Sequence, residues 1–336
     1  MSQVYTYMRR FGLESGAELT SITISYDTFG TLNNDRSNVI WICHALTANS
    51  DVSDWWSGIF GKGKALDPTK HFIVCANVIG SHYGSTGPLE TNPETGQPWY
   101  GDFPLLSVRD LVKAHILLRK HLGIDRFHSL IGGSLGGQQA LEWAVIEPDV
   151  VNRLLVIATN AKHSPWGIAF NETQRMAIQA DPTFGEPSVS AGQKGLEAAR
   201  AIAMLSYRHY ETYKATQTDI EARTHGFRAS SYQRYQGQKL ANRFNAYSYV
   251  RSSEAMDSHD LGRGRESVID ALRSIQARTL AIGISSDVLF PPCEQRYIAK
   301  HIPNADYLEI DSIYGHDGFL TETIQLDPIF QDFING

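Results

Sequence analysis

Short apolar runs punctuate the chain and predict its architecture. VIWIC (39–43), FIVC (72–75), FHSLI (127–131), LLVIA (154–158) and TLAIGI (279–284) are each four to six residues long. They are too short and too uniformly apolar for strands with one wet face, and they predict strands buried on both sides, as in a parallel sheet. Between the second and third lies SVRDLVKAHILLRKHLGI (107–124). There Val108, Leu111, Val112, His115 and Leu118 recur at helical spacing, Ser107 with Asp110 resembles a capping box, and Gly123 supplies a stop. Strand, helix, strand at this spacing predicts right-handed βαβ units. An earlier segment, LTSITISY (19–26), alternates instead and reads as an antiparallel edge strand or one arm of a hairpin.

The pattern changes after about residue 160. From roughly 166 to 261 the periodicity is helical, as in GLEAARAIAMLSYRHYETYKA, and the strand rhythm returns only with TLAIGI and YLEI (307–310). The simplest organisation is an α/β domain with a mostly parallel central sheet flanked by helices, interrupted by an inserted helical lid. The expected boundaries are 1–162 for the first part of the core, 163–265 for the lid and 266–336 for the second part of the core.

Composition removes several function classes. A formal charge of −6 without any Lys/Arg block argues against nucleic-acid binding. The three cysteines are far apart with no CxxC, which suits a reducing compartment. No apolar run approaches the ~20 residues that span a bilayer, and the opening MSQVYTYMRRFGLESG has no secretory apolar stretch. A cytoplasmic protein without membrane contact is expected. No HExxH or His/Cys cluster suggests a metal site, and the twelve scattered histidines are expected mainly at the surface. GIFGKGKA (58–65) nearly matches a phosphate-binding loop, but Ala65 replaces the Ser/Thr that would hold Mg²⁺ and no apolar strand precedes it.

The motif that survives is Gly132-Gly133-Ser134-Leu135-Gly136, a G-x-S-x-G pattern between a buried strand and a helix-forming run that Pro148 closes. A glycine-rich turn satisfies the pattern too. The strand–helix context favours a strained elbow that presents Ser134 as nucleophile, with small neighbours on both sides. A serine hydroxyl needs a base and a group to orient that base. In chain order Ser, acid, His, the candidates are Asp287 after TLAIGI and His316 after YLEI. Asp287 also fits a turn or helix cap, and His316 a plain loop residue. An oxyanion hole would use the backbone N–H of Leu135 and one from the loop CHALTAN, expected at Leu46.

With these residues in view, the chain resembles the homoserine O-acetyltransferase branch of the α/β-hydrolase superfamily. The likeness runs nearly end to end, through FGLESGAELTSITISYDTFGTLN, CHALTAN, GKALDP, NVIGSHYGSTGPLETNPETGQPW, GGSLGGQQALEW, FNETQR, GLEAARAIAMLSYR, YQGQKLANRFNAYSY, SSDVLFPP and GHDGFL. The resemblance implies an α/β-hydrolase fold and an acyl-CoA-dependent O-acyltransferase that acetylates homoserine in methionine synthesis by ping-pong chemistry. It implies no cofactor beyond acyl-CoA as co-substrate, a small hydroxy amino acid as acceptor, and a homodimer formed through the helical lid. By motif it carries Ser134 over as nucleophile, Asp287 as acid and His316 as base. Arg200 of GLEAAR falls on the position that holds the amino-acid carboxylate, Asp317 of GHD on the one near the ammonium, and Tyr207 of MLSYR on a pocket position. A structural ion pair for Arg200 and a plain loop acid for Asp317 are the competing readings. Leu135 stands where the family often has Met or Phe, and HALTANSDVSDWW departs from the commoner HALTG form. Succinyl transfer, serine as acceptor, and a serine esterase or thioesterase on the same scaffold are the alternatives.

Overall fold

The computed structural model describes residues 2–336. Among them an eight-stranded sheet forms from β1 (Gln3–Tyr7), β2 (Ile22–Phe29), β3 (Val39–Cys43), β4 (Phe72–Ala76), β5 (Phe127–Gly133), β6 (Val151–Ile157), β7 (Arg278–Ile284) and β8 (Ala305–Ile310). The spatial order is β1-β2-β4-β3-β5-β6-β7-β8. Strands β1, β2 and β4 pair antiparallel and all later neighbours pair parallel. All five side chains of β3 are buried, each contributing roughly 1.5–3 kcal/mol over an exposed position.

The alternating segment is the arm of a hairpin rather than an edge. Strand β2 lies second in the sheet, and β1 forms the edge. The apolar pattern does not announce β1, because QVYTY is largely exposed and buries no residue fully.

Helix α1 (Val108–His121) follows β4, and Ser107 and Asp110 exchange both bonds of the capping box. Helix α2 (Leu135–Ile146) follows β5 and is buried along its first ten residues. Its one carboxylate is matched: Glu142 meets Arg109 and Arg265 at 2.6 and 2.7 Å. Five helices then follow β6 without a strand: α3 (Pro165–Gln179), α4 (Gln193–Tyr207), α5 (Tyr210–Gln217), α6 (Arg228–Ala241) and α7 (Ala246–Asp257). The chain leaves and rejoins the core as paired backbone, with His163 N–H donating to His259 O and Leu261 N–H to Ala161 O. Helices α8 (Val268–Arg273), α9 (Pro292–His301) and α10 (Thr323–Asn335) complete the flanks. No helix among the described residues is long and apolar enough to cross a membrane. The 58–65 segment is a run of turns whose Lys64 ammonium donates to Ser57 O; no helix follows it to cradle a phosphate.

The expectation of surface histidines is corrected. Among the described residues His44, His71, His115, His163, His259 and His316 are buried. The neutral ring tolerates this. In His44, Nε2 accepts from Val78 N–H, which leaves Nδ1–H to donate to Ala45 O and so pins the loop after β3. Burial pulls His44 down to about 4, and His115, His163 and His259 to about 3. Each therefore stays neutral when folded and gains a proton on unfolding below its free value near 6.5. A folded value below the unfolded one makes this stability complete above about pH 6.5 and progressively lost as pH falls toward 4. The free energy of unfolding is expected to drop from pH 7 to pH 5, by up to about 1.4 kcal/mol per pH unit for each such histidine. Calorimetric unfolding at pH 5 in buffers of different ionisation enthalpy should register the proton uptake. His115→Leu, in the cluster with Trp41 and Trp143, should reduce that uptake by about one proton. A flat profile over this range would contradict the assignment.

Candidate active site

Strand β5 ends at Gly133 and α2 begins at Leu135, so Ser134 alone makes the turn, at φ 57° and ψ −127°. A non-glycine residue rarely holds that backbone. The glycines around it are required by contact. A Cβ on Gly132 would lie 2.1 Å from Gly136 O, and one on Gly136 would lie 2.0 Å from Cys43 O. The turn is clamped on both sides. Ser134 N–H donates to Ile157 O at 3.1 Å, and Ser134 O accepts from Gly137 N–H at 2.9 Å and Thr159 Oγ1 at 2.8 Å.

Asp287 lies just past β7 and His316 in the turn Gly315–Asp317 past β8. His316 Nε2 is 2.9 Å from Ser134 Oγ, and His316 Nδ1 is 2.7 Å from Asp287 Oδ2. Asp287 Oδ1 accepts from the N–H groups of Leu289 and Phe290 at 2.8 and 2.9 Å. Asp287 thus makes both kinds of contact: one oxygen closes a turn and the other faces the imidazole. Nδ1–H donates to the carboxylate, and Nε2 keeps the lone pair that can accept the serine proton. Phe290 stacks on the imidazole at 5.1 Å, and Phe319 and Tyr207 lie at 5.3 and 5.7 Å. All three members of the constellation are at most 5% exposed.

Ser134 and His316 open onto a cavity of about 550 Å³ whose wall also includes Leu46, Arg200, Tyr207 and Asp317. The N–H groups of Leu46 and Leu135 have no backbone or side-chain acceptor among the described residues. Arg200 makes no ion pair there either; its guanidinium sits 5.1 Å over the Tyr207 ring. Asp317 meets Arg208 Nε at 2.8 Å. Burial raises the Tyr207 phenol above its ordinary value, so it stays protonated at neutral pH. No group of three His, Cys, Asp or Glu side chains among the described residues is arranged to hold a metal ion.

The sequence profile of the α/β hydrolase fold matches residues 38–323. A homoserine O-acetyltransferase from Cyclobacterium marinum is 51% identical over 98% of this chain and 94% of its own length. The chain belongs to the homoserine O-acetyltransferase family. The crystal structure of a homoserine O-acetyltransferase from Bacillus anthracis superposes with a TM-score of 0.93 at 27% identity, covering 100% of this chain and 98% of that one. An acetylester hydrolase from Corynebacterium glutamicum superposes with a TM-score of 0.88 at 26% identity, covering 100% and 96%. This scaffold therefore appears in proteins named for transfer and in proteins named for hydrolysis.

In this homoserine O-acetyltransferase family member six of the eight predicted site residues line the one cavity; Asp287 and Leu135 are not on its wall, Asp287 reaching it through His316 and Leu135 following Ser134 in the chain. Wall residues that the sequence does not single out include Asp54, Tyr83, Lys239 and Arg243. Their charges are dispersed along loops and an amphipathic helix, and spacing alone does not mark them. The aromatic enclosure of His316 also carried no signal, because Phe290 and Phe319 read as core residues.

Asp287→Asn tests the tautomer. With the amide oxygen kept by the two backbone N–H groups, the amide NH₂ would face His316 Nδ1 and force the proton onto Nε2. Ser134 labelling by a fluorophosphonate is then expected to slow by about 10⁴ with the fold retained. Labelling at the wild-type rate would show that His316 does not depend on this bond.

Proposed function

We propose that the protein transfers an acetyl group from acetyl-CoA to the side-chain hydroxyl of L-homoserine, with Ser134 as the acyl carrier. The observation that carries this reading is a Ser–His–Asp constellation opening onto a cavity where Arg200, without an ion-pair partner, is held over Tyr207. A guanidinium free of carboxylate partners on such a wall suits a substrate carboxylate, which it can bind through two N–H groups. The names of the relatives support the same substrate.

The chemistry follows in two halves. Ser134 Oγ attacks the thioester carbonyl as His316 Nε2 takes its proton. The Leu46 and Leu135 N–H groups receive the oxyanion. The C–S bond breaks, His316 returns the proton to the CoA sulfur, and acetyl-Ser134 remains. Homoserine then binds with its carboxylate on Arg200 and its ammonium near Asp317, while Tyr207 orders the Arg200 fork. His316 takes the hydroxyl proton as that oxygen attacks, and the collapsing intermediate returns Ser134 protonated. No resident cofactor takes part. The setting this implies is a cytoplasmic enzyme of methionine synthesis, in which the helices from Pro165 to Asp257 form the lid and the contact of a homodimer.

A second reading, hydrolysis of an acyl ester, is favoured by one observation, the acetylester hydrolase that shares the scaffold. The two separate in one assay: acetyl-CoA or succinyl-CoA, with and without homoserine or serine, following CoA release and product mass. O-acetylhomoserine formed only with acetyl-CoA and homoserine is expected. CoA release that is equal without an amino acid, yielding free acid, would establish the hydrolase. Ser134→Ala should accumulate no acyl-enzyme by intact mass. Arg200→Ala should keep the burst of CoA release while raising the homoserine KM by about 10–100-fold, the scale of a charge-assisted pair.

A further inference from the structure

Two cations on the cavity wall have no part in the reading above. Lys239 lies near the end of α6 and Arg243 two residues past it, and both side chains are exposed. Lys239 has no hydrogen-bond or ion-pair partner among the described residues. Arg243 donates from Nη1 to Thr47 O at 2.7 Å and to the Tyr83 hydroxyl. Its Nε and Nη2 remain without a protein partner there, and no carboxylate pairs with it. Like charges four residues apart around a last helical turn repel each other, and no Asp or Glu stands three or four residues from Lys239 to relieve this.

The acids on the same wall do not cancel this charge. Asp317 is already paired with Arg208, and Asp54 sits on the separate turn Val52–Trp55. Arg200, Lys239 and Arg243 thus concentrate positive charge on one cavity of a chain whose net charge is −6. Such focusing against the overall charge raises the local concentration of anions. Arg243 is also pre-set: its anchor, Thr47, directly follows Leu46 on the loop after β3. Arg243 also lines a second cavity, of about 500 Å³, with Ser188, Ser190, Gln193 and Asn242. Arg243 therefore borders both the cavity that opens on Ser134 and this second one.

We propose that Lys239 and Arg243 form the subsite for the phosphate groups of the CoA donor, separate from the carboxylate position at Arg200. This rests on acyl-CoA being the donor. The subsite makes the enzyme select the nucleotide end of the carrier and not merely its thioester.

The test uses K239Q, R243Q and the double variant. With homoserine saturating, kcat/KM is measured for acetyl-CoA and for S-acetyl-pantetheine, which keeps the thioester arm and lacks the nucleotide and its phosphates. The ratio of the two values is expected to fall about fivefold in each single variant, the scale of one exposed ion pair, and further in the double variant. The salt dependence for acetyl-CoA should flatten in parallel. Losses that are equal for both donors would mean that Arg243 acts only by bracing the Thr47 loop, and an unchanged ratio in K239Q and R243Q would overturn the subsite. Calorimetric binding of CoA itself separates this from the activity. Wild type and variants binding CoA equally would refute the subsite and leave the transfer reaction standing. A wild type that neither binds CoA nor turns over acetyl-CoA would refute the donor assignment on which the subsite rests.

Discussion

The rest of the site depends on how closely α2 starts against the ends of β3 and β5. Cys43 and Gly132 are opposite each other in the parallel ladder, and Gly136 lies against the Cys43 carbonyl with room for a hydrogen only. A helix that begins this near the sheet leaves one residue to reverse the chain. Ser134 does so in a backbone state that costs about 1–3 kcal/mol. The surrounding bonds to Ile157, Gly137 and Thr159 hold it there. The benefit is positional: the hydroxyl stands beyond the sheet's edge, and the first free N–H of α2 is adjacent to it. Substituting any residue with a side chain at Gly132 or Gly136 would move the helix and dissolve both features together.

Parallel strands do the remaining assembly. Strands β5, β6, β7 and β8 run side by side in one direction, so the residues that follow them emerge on one end of the sheet. Ser134, Asp287 and His316 are far apart in sequence and arrive within hydrogen-bond reach because of that topology. The aromatic rings around His316 then restrict water, while the Asp287 carboxylate fixes which nitrogen carries the proton. Preorganisation of this kind acts before substrate arrives, so no large rearrangement is needed at the moment of reaction.

What the sequence made legible follows from the same physics. Buried parallel strands must be apolar on both faces, so β3 to β7 stood out, whereas the exposed β1 did not. The elbow was readable because steric need dictates its glycines, and Asp287 and His316 because chain order and strand ends constrain them. The histidines were misjudged because composition does not reveal that a neutral imidazole such as His44 can be buried as a backbone staple. Lys239 and Arg243 were invisible for a different reason. Their meaning depends on the absence of nearby carboxylates in space, and no linear pattern encodes an absence of partners.

The triad cannot by itself decide between transfer and hydrolysis, since an acetylester hydrolase carries the same scaffold. An acyl-serine reacts with whichever hydroxyl is best placed. Water has the advantage of concentration and an alcohol the advantage of orientation, which reaches effective molarities of about 10⁵–10⁸ M when the reacting atoms are aligned. Orientation requires fixed charges for the acceptor's own charged groups, and the proposed transfer would use Arg200, which sits over Tyr207, and Asp317 on this wall. On the proposed reading the core supplies the nucleophile, and α4, α6 and the turn after α6 supply the wall cations Arg200, Lys239 and Arg243. Selection of substrate and activation of serine are therefore built by different parts of the fold. That separation lets the cavity wall change without disturbing the elbow at Ser134.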